Sequence, residues 1–328
     1  MQLTFVDDLC GELAAKLEAS VRRNHADALL FSGGLDSAVL ASILRPAYSV
    51  TAALGPDAPD LAYARQVAGR YSKKHVEEIF SEEEMAEMVV TVVQVFKTFS
   101  PHEIRNSCVA LAGLKRALVD GHTRVMTGDC GDELFAGYNY LSRYYGDDDR
   151  LEQELQRLWK VMHFSSMELG RHLGVQVVTP FLDSEFSSFA RSLGVQEKVG
   201  ERSGRKWGKF ILRRCYEREL GEKIAWRPKL AQEQGAATDA FQNFVEKRID
   251  DSTYANKKRI ARAEGVTISS KEQLNYYAIF RSYFPAPAEE SIGCEYVCPA
   301  CTACIESDRR FCRTCGAFPV APQERSLF

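Results

Sequence analysis

Two short loops bring acids, hydroxyls and glycines together at spacings that could hold a phosphate and a divalent cation. In Ser32-Gly33-Gly34-Leu35-Asp36-Ser37 two glycines let backbone N–H groups turn toward one anion and two hydroxyls can donate to it, yet Asp36 repels a bare phosphate. Mg²⁺ reconciles the two, because carboxylate and phosphate oxygens can share it. In Gly128-Asp129-Cys130-Gly131-Asp132-Glu133-Leu134-Phe135-Ala136-Gly137-Tyr138, three acids fall within five residues and repel one another unless a cation is shared. The plainer readings are a tight turn capped by Asp36 and a solvated acidic turn. A third group lies near the end: Cys298-Pro299-Ala300-Cys301, ten residues, then Cys312-Arg313-Thr314-Cys315. Two such knuckles suit a tetrahedral four-thiolate zinc site. Cys294 and Cys304 are left over, Cys301 with Cys304 forms a competing pair, and an iron–sulfur cluster is the other metal reading.

Apolar spacing predicts the elements that must position these groups. Leu9, Leu13, Leu17 and Val21 recur every four residues and mark a first helix; Ala28 to Phe31 is a short apolar run stopped by Ser32, as in a strand buried on both faces. A helix over 38–44, a strand over 48–54, a helix over 60–71 and a weaker strand over 76–80 follow. Ser81 with Glu84 makes a capping box for a helix ending near Phe99, then comes a helix over 103–119. The strand 124–127 runs into the acidic loop. This alternation predicts an α/β fold with a doubly wound parallel sheet, both loops at its carboxyl edge. Beyond residue 150 the pattern is mainly helical, and Pro285-Ala286-Pro287 reads as a hinge before a small zinc ribbon. The expected domains are 1–285 and 286–328.

With 45% hydrophobic and 27% charged residues, the 328-residue chain has the composition of a soluble globular protein and is too apolar for intrinsic disorder. No apolar run is long enough to span a bilayer, and the start lacks the features of a secretory signal. A cytoplasmic protein with no membrane partner is expected, in which clustered cysteines read as metal ligands rather than a disulfide framework. The net charge of −3 exerts no global pull on nucleic acid. Residues 201–229 nevertheless carry +6, which favours a polyanion nearby.

The two loops together resemble the synthetase domain of the asparagine synthetase family, within the N-type ATP pyrophosphatases. Asp60-Leu61-Ala62-Tyr63-Ala64, Ile104-Arg105-Asn106-Ser107, Pro180-Phe181-Leu182-Asp183, the stretch 206–213 and Trp226-Arg227-Pro228-Lys229 agree in the same order. The resemblance covers about residues 5–285. It implies that ATP adenylates a carboxylate with release of pyrophosphate, and that ammonia then displaces AMP to leave an amide, aspartate being the default acceptor. It places ATP on Ser32, Gly33, Gly34, Leu35, Asp36, Ser37, Gly128 and Asp132, with Mg²⁺ between Asp36 and Asp132. Lys229, Lys209 and Asp129 fall on the catalytic positions, and Arg213 is a further support on the phosphate side.

The chain departs from that pattern in three places. Gln2 stands where glutamine-using members carry a nucleophilic cysteine, so nitrogen is expected as free ammonia, from a separate glutaminase or from an amine substrate. Asp129 is one methylene shorter than the family's glutamate. Gln176-Val177-Val178-Thr179 replaces a stretch that usually holds a glutamate and an arginine. Together with the ribbon, these losses keep open a tRNA-modifying ATP pyrophosphatase that adenylates a nucleobase and transfers sulfur or nitrogen. The ribbon would then hold tRNA or a protein partner. A regulatory nucleotide-binding module is disfavoured by the retention of Asp36, Asp132 and Lys229.

Overall fold

Every residue of Tyr48–Leu54 is buried, the pattern of a strand covered on both faces, and its neighbour Ala28–Leu30 is as apolar as the sequence suggests. The computed structural model describes residues 2–324, with side chains from residue 8 onward. Met1 and residues 325–328 lie outside it, as does the Gln2 side chain on which the nitrogen-source expectation rests. Five strands, β1 (Ala28–Leu30), β2 (Tyr48–Leu54), β3 (Lys74–Phe80), β4 (Arg124–Met126) and β5 (Gln176–Val178), form one sheet in the order β3-β2-β1-β4-β5. The pairings of β1 with β2, β1 with β4 and β4 with β5 are parallel, with Ala28 opposite Tyr48 and Val125, and Arg124 opposite Gln176. This is the expected α/β class. The order reverses at β1, so the chain leaves β1 and β4 on diverging paths and opens a crevice at their carboxyl ends.

Helices α1 (Gln2–Arg23), α2 (Leu35–Leu44), α3 (Pro59–Tyr71), α4 (Glu82–Phe96) and α5 (Pro101–Val119) follow the predicted order. The α1 stripe is real: Leu13 and Leu17 are fully buried and Val21 is 3% exposed. Their core partners include Leu29, Phe31, Val39, Ile211, Leu212 and Leu220. Each such leucine contributes roughly 1.5–3 kcal/mol by leaving water. Helix α2 starts three residues earlier than its apolar pattern, because Gly34 takes an extended cap conformation and Leu35 is already in the core. The capping box at α4 forms as read, Glu84 N donating to Ser81 Oγ and Ser81 N to Glu84 Oε2. The later region also holds a hairpin, Gly200–Arg202 with Arg205–Trp207, that helical periodicity could not reveal.

Contacts divide the described residues into two units, 2–79 with 112–236, and 80–111 with 237–324. By contacts the cysteine segment groups with residues 80–111 and 237–285. The stretch read as a hinge begins a one-turn helix, Pro287–Glu290, with Ala286 and Pro287 buried and Ala286 N donating to Glu289 Oε1 at 2.9 Å. Proline at the first helical position suits such a start. Two cysteine pairs are disulfide-bonded: Cys10 of α1 with Cys215 of the helix Phe210–Leu220, and Cys294 with Cys304. The first joins residues 205 apart whose Cα atoms lie 5.1 Å from each other, a pairing no spacing rule reaches. Among the described residues no helix is long and apolar enough to cross a membrane.

Candidate active site and cysteine cluster

The loop after β1 and the loop after β4 meet at the β1/β4 crevice, where glycine permits close approach: a Cβ on Gly128 would lie 3.1 Å from Ser37 N. Gly33, at φ +69°, sits so close to α3 that a Cβ would lie 2.9 Å from both Ala64 N and Asp60 O. Gly131 faces the first turn of α2, where a Cβ would fall 2.5 Å from Asp36 Cγ. Within the first loop Ser32 Oγ lies 3.1 Å from Ser37 Oγ and accepts from Gly34 N at 3.3 Å. Ser32, Gly33, Gly34, Leu35, Asp36, Ser37, Gly128 and Asp132 are thus brought together, with the start of α2 pointing its N–H groups into the crevice.

Lysines from far along the chain complete the site. Lys209 Nζ contacts Asp36 Oδ2 at 2.5 Å and Asp132 Oδ1 at 2.7 Å, and Lys229 Nζ donates to Asp132 Oδ2 at 2.8 Å. Lys209 is only 3% exposed and takes the left-handed backbone conformation, φ +55°, held by its N–H to Phe135 O at 2.7 Å. Such strain persists where surrounding structure enforces it. Burial opposes charge on Asp132, but Lys209 and then Lys229 outweigh it and hold the carboxyl well below its ordinary value. Burial likewise works against the Lys229 ammonium, and Asp132 followed by Asp36 hold its pKa above normal. Among the described residues Asp36 Oδ1 is buried without a hydrogen-bond partner. Two hard carboxylates with an uncommitted oxygen fit Mg²⁺.

A second cluster gathers Cys298, Cys301, Cys312 and Cys315, all buried, their sulfurs within 4.8 Å of one another. The Cys298–Cys315 and Cys301–Cys312 separations are 3.8 and 3.7 Å. Four thiolates around one zinc at about 2.3 Å require sulfurs about 3.8 Å apart, so the set fits that ion. Because the four converge on one point, a cluster whose ligands sit on separate irons fits less well. Cys294 and Cys304 are bonded to each other and stand outside the set.

The asparagine synthase family model matches residues 12–167 and again 148–291. The chain belongs to the asparagine synthase family. It is 27% identical to asparagine synthetase B (glutamine-hydrolyzing) of Escherichia coli, over 92% of this chain and 59% of that protein. Similar matches are the glutamine-hydrolyzing asparagine synthetases of Rattus norvegicus, at 30% identity, and Homo sapiens, at 28%, each over 79% of this chain and 49% of the relative. The chain spans about half the length of the curated relatives it matches.

In this member of the asparagine synthase family not every family position faces the crevice in the same way. Asp129 Oδ2 accepts from Thr127 Oγ1 at 2.8 Å and from Ser166 Oγ, and among the described residues no lysine pairs with it. Burial, helped by the charges of Asp36 and Asp132, raises its pKa. Arg213 is a brace: it donates to the carbonyls of Gly208, Ala225 and Arg227 and so holds the chain between Lys209 and Lys229. Arg227, quoted above only as part of a motif, donates to Gly33 O at 2.9 Å, pairs with Asp60 and lies 3.7 Å from the Tyr63 ring centroid. It ties the first loop to α3. A bidentate-capable cation 194 residues from its acceptor leaves no local signal in sequence. Asp183 caps the helix Ser184–Ser192 and pairs with Arg23, a structural role.

Glu133, 5% exposed, accepts from Tyr138 Oη at 2.5 Å. Desolvation, then the Asp132 charge, push its carboxyl up to about 7 from an ordinary 4.5. A folded-state pKa above the unfolded one means the folded state holds the extra proton between those values, so stability falls as pH rises through that window. Glu133→Gln is expected to match wild type below about pH 4.5 and to exceed it above about pH 7, by at most about 3 kcal/mol. Urea midpoints at pH 5 and 8 check this; a difference that does not change with pH would exclude it.

Proposed function

We propose that this chain catalyses an ATP-dependent, AMP-forming ligation that converts a carboxylate to an amide with ammonia, aspartate being the default acceptor. The observation that carries the reading is Lys209 between Asp36 and Asp132 at the sheet's switch point, with Lys229 on the other oxygen of Asp132. The start of α2, Ser32 and Ser37 bind the β and γ phosphates as the leaving pyrophosphate. Asp36 and Asp132 would hold Mg²⁺, which supplies charge neutralisation to the phosphates. A substrate carboxylate oxygen attacks the α-phosphorus as its bond to the bridging oxygen breaks, and pyrophosphate leaves. Lys229, nearer solvent than Lys209, steadies the charge on that leaving group. Ammonia then adds to the acyl carbon, a proton leaves the nitrogen, and AMP departs. Asp129, its pKa raised by burial, is the group assigned that proton. A cytoplasmic location belongs to the same proposal.

Sulfur transfer to tRNA is less well supported. It needs a thiolate beside the nucleotide, and Cys130 is 1% exposed, packs on Met162 Sδ at 3.9 Å, and has its thiol pushed well above the ordinary range by desolvation.

The test follows ATP labelled at the α phosphate with aspartate and ammonium, and separately with tRNA. AMP, pyrophosphate and asparagine are expected in the first arm only. Asp132→Asn should slow the reaction about 10²–10³-fold, since it removes the charge both lysines share. ADP with orthophosphate would overturn the assignment, and AMP formation only with tRNA would favour the nucleobase reading.

A further inference from the structure

The cysteine turns are built into the helical unit of residues 80–111 and 237–324 rather than displayed from it. Each turn closes on itself, Thr302 N donating to Cys298 O at 2.8 Å and Gly316 N to Cys312 O at 2.8 Å. Four further carbonyls of the turns are taken by other residues of that unit. Thr98 Oγ1 donates to Arg313 O at 2.6 Å and Phe99 N to Thr314 O at 2.8 Å. Gln273 Nε2 donates to Cys315 O at 2.7 Å, and Thr267 N to Ala300 O at 2.7 Å. Thr98, Phe99 and Ser100, which join α4 to α5, are at most 1% exposed, and Gln273 is 5% exposed. Gly316, at φ +81°, packs so tightly that a Cβ would lie 2.4 Å from Ser100 Oγ. The Phe99 ring meets Tyr277 and Phe280 edge-on, at 4.9 and 5.3 Å.

We propose that zinc in the four-cysteine site acts as an internal clasp: it orders the α4–α5 joint and the start of the helix Lys271–Tyr283, with Thr98 and Gln273 as positioning residues for the ligand turns. This rests on the zinc reading of the four sulfurs. The physical argument is one of mutual dependence. So short a cysteine segment owes its fold to the metal. Without the folded turns, the buried donors of Thr98, Phe99 and Gln273 lose their acceptors, and an unpaired buried donor is costly. The joint and the metal therefore stabilise each other, and by linkage whatever zinc does for the joint the joint does for zinc affinity. Hydrogen-bonded partners outside a ligand set commonly change metal affinity 10–100-fold.

The full chain is examined by zinc titration against a chromophoric chelator and by hydrogen exchange of the peptides covering 97–107 and 265–277. One zinc per chain is expected, and its removal should speed exchange in both peptides by at least about 100-fold. Thr98→Val and Gln273→Leu should retain the stoichiometry with about 10-fold weaker binding, while Thr98→Ser, which keeps the hydroxyl, should bind as wild type. Undiminished zinc in Cys298→Ser overturns the ligand set itself. A zinc-free chain with unchanged exchange, or wild-type affinity in both Thr98→Val and Gln273→Leu, overturns the clasp and leaves the ligand set standing. Should Thr98→Val fail to fold, the wild-type exchange and Gln273→Leu still decide the matter.

Discussion

Lys209→Met is expected to abolish ATP cleavage and to cost about 3–5 kcal/mol of stability, because it leaves Asp36 and Asp132 facing each other without their shared ammonium. Both carboxylates are largely buried, with 14% and 15% of their side chains exposed, so water can only partly replace the lost charge. The two effects are separable. Adding Asp36→Asn to Lys209→Met removes the repulsion and should restore most of the stability while activity stays absent, a coupling that a double-mutant cycle measures directly. Urea unfolding and α-labelled ATP cleavage on Lys209→Met, Asp36→Asn and the double variant provide the readouts. If Lys209→Met unfolds within about 1 kcal/mol of wild type, the lysine is not neutralising a buried pair.

Reduction of the Cys10–Cys215 bond is expected to lower stability by as much as about 5 kcal/mol, the chain-entropy value for opening a loop of 205 residues. The gain comes from the unfolded chain, which the bond prevents from separating α1 from the helix that begins after Lys209. Residual packing between those helices will make the measured figure smaller. With zinc kept saturating, a reductant should shift the urea midpoint of wild type more than that of the Cys10→Ser/Cys215→Ser variant, in which only Cys294–Cys304 is left to reduce. Equal midpoints with and without reductant would show that the bond contributes nothing.

What could be seen in the sequence was whatever local chemistry dictates. The run Ala28 to Phe31 stopped by glycine predicts β1 and its loop, and three acids in five residues mark the loop after β4, because both signals lie within a few residues of themselves. Lys209 and Lys229 were reachable only through resemblance, since nothing near them says which carboxylate they meet. Arg227 on Gly33, Asp129 on Ser166, and Cys10 on Cys215 are contacts across 194, 37 and 205 residues. They follow from how the helices pack around the sheet, and no periodicity carries that. The same reason hid the use of the cysteine turns: the spacing announces the ligands, whereas Thr98 and Gln273 look like ordinary polar residues until the fold brings carbonyls to them.

The unit that contains the cysteine turns is made of two stretches of chain separated by residues 112–236, and this has a consequence during synthesis. Phe99 needs Thr314, and Thr98 needs Arg313, partners that leave the ribosome more than 200 residues later. At about 5–20 residues per second the wait is roughly 10–40 seconds. Over that interval Met85, Val89, Val92, Val93 and Phe99, all buried in the finished protein, have no completed home. The unit is therefore expected to complete its packing only after its second stretch has been synthesised, well after α4 has left the ribosome.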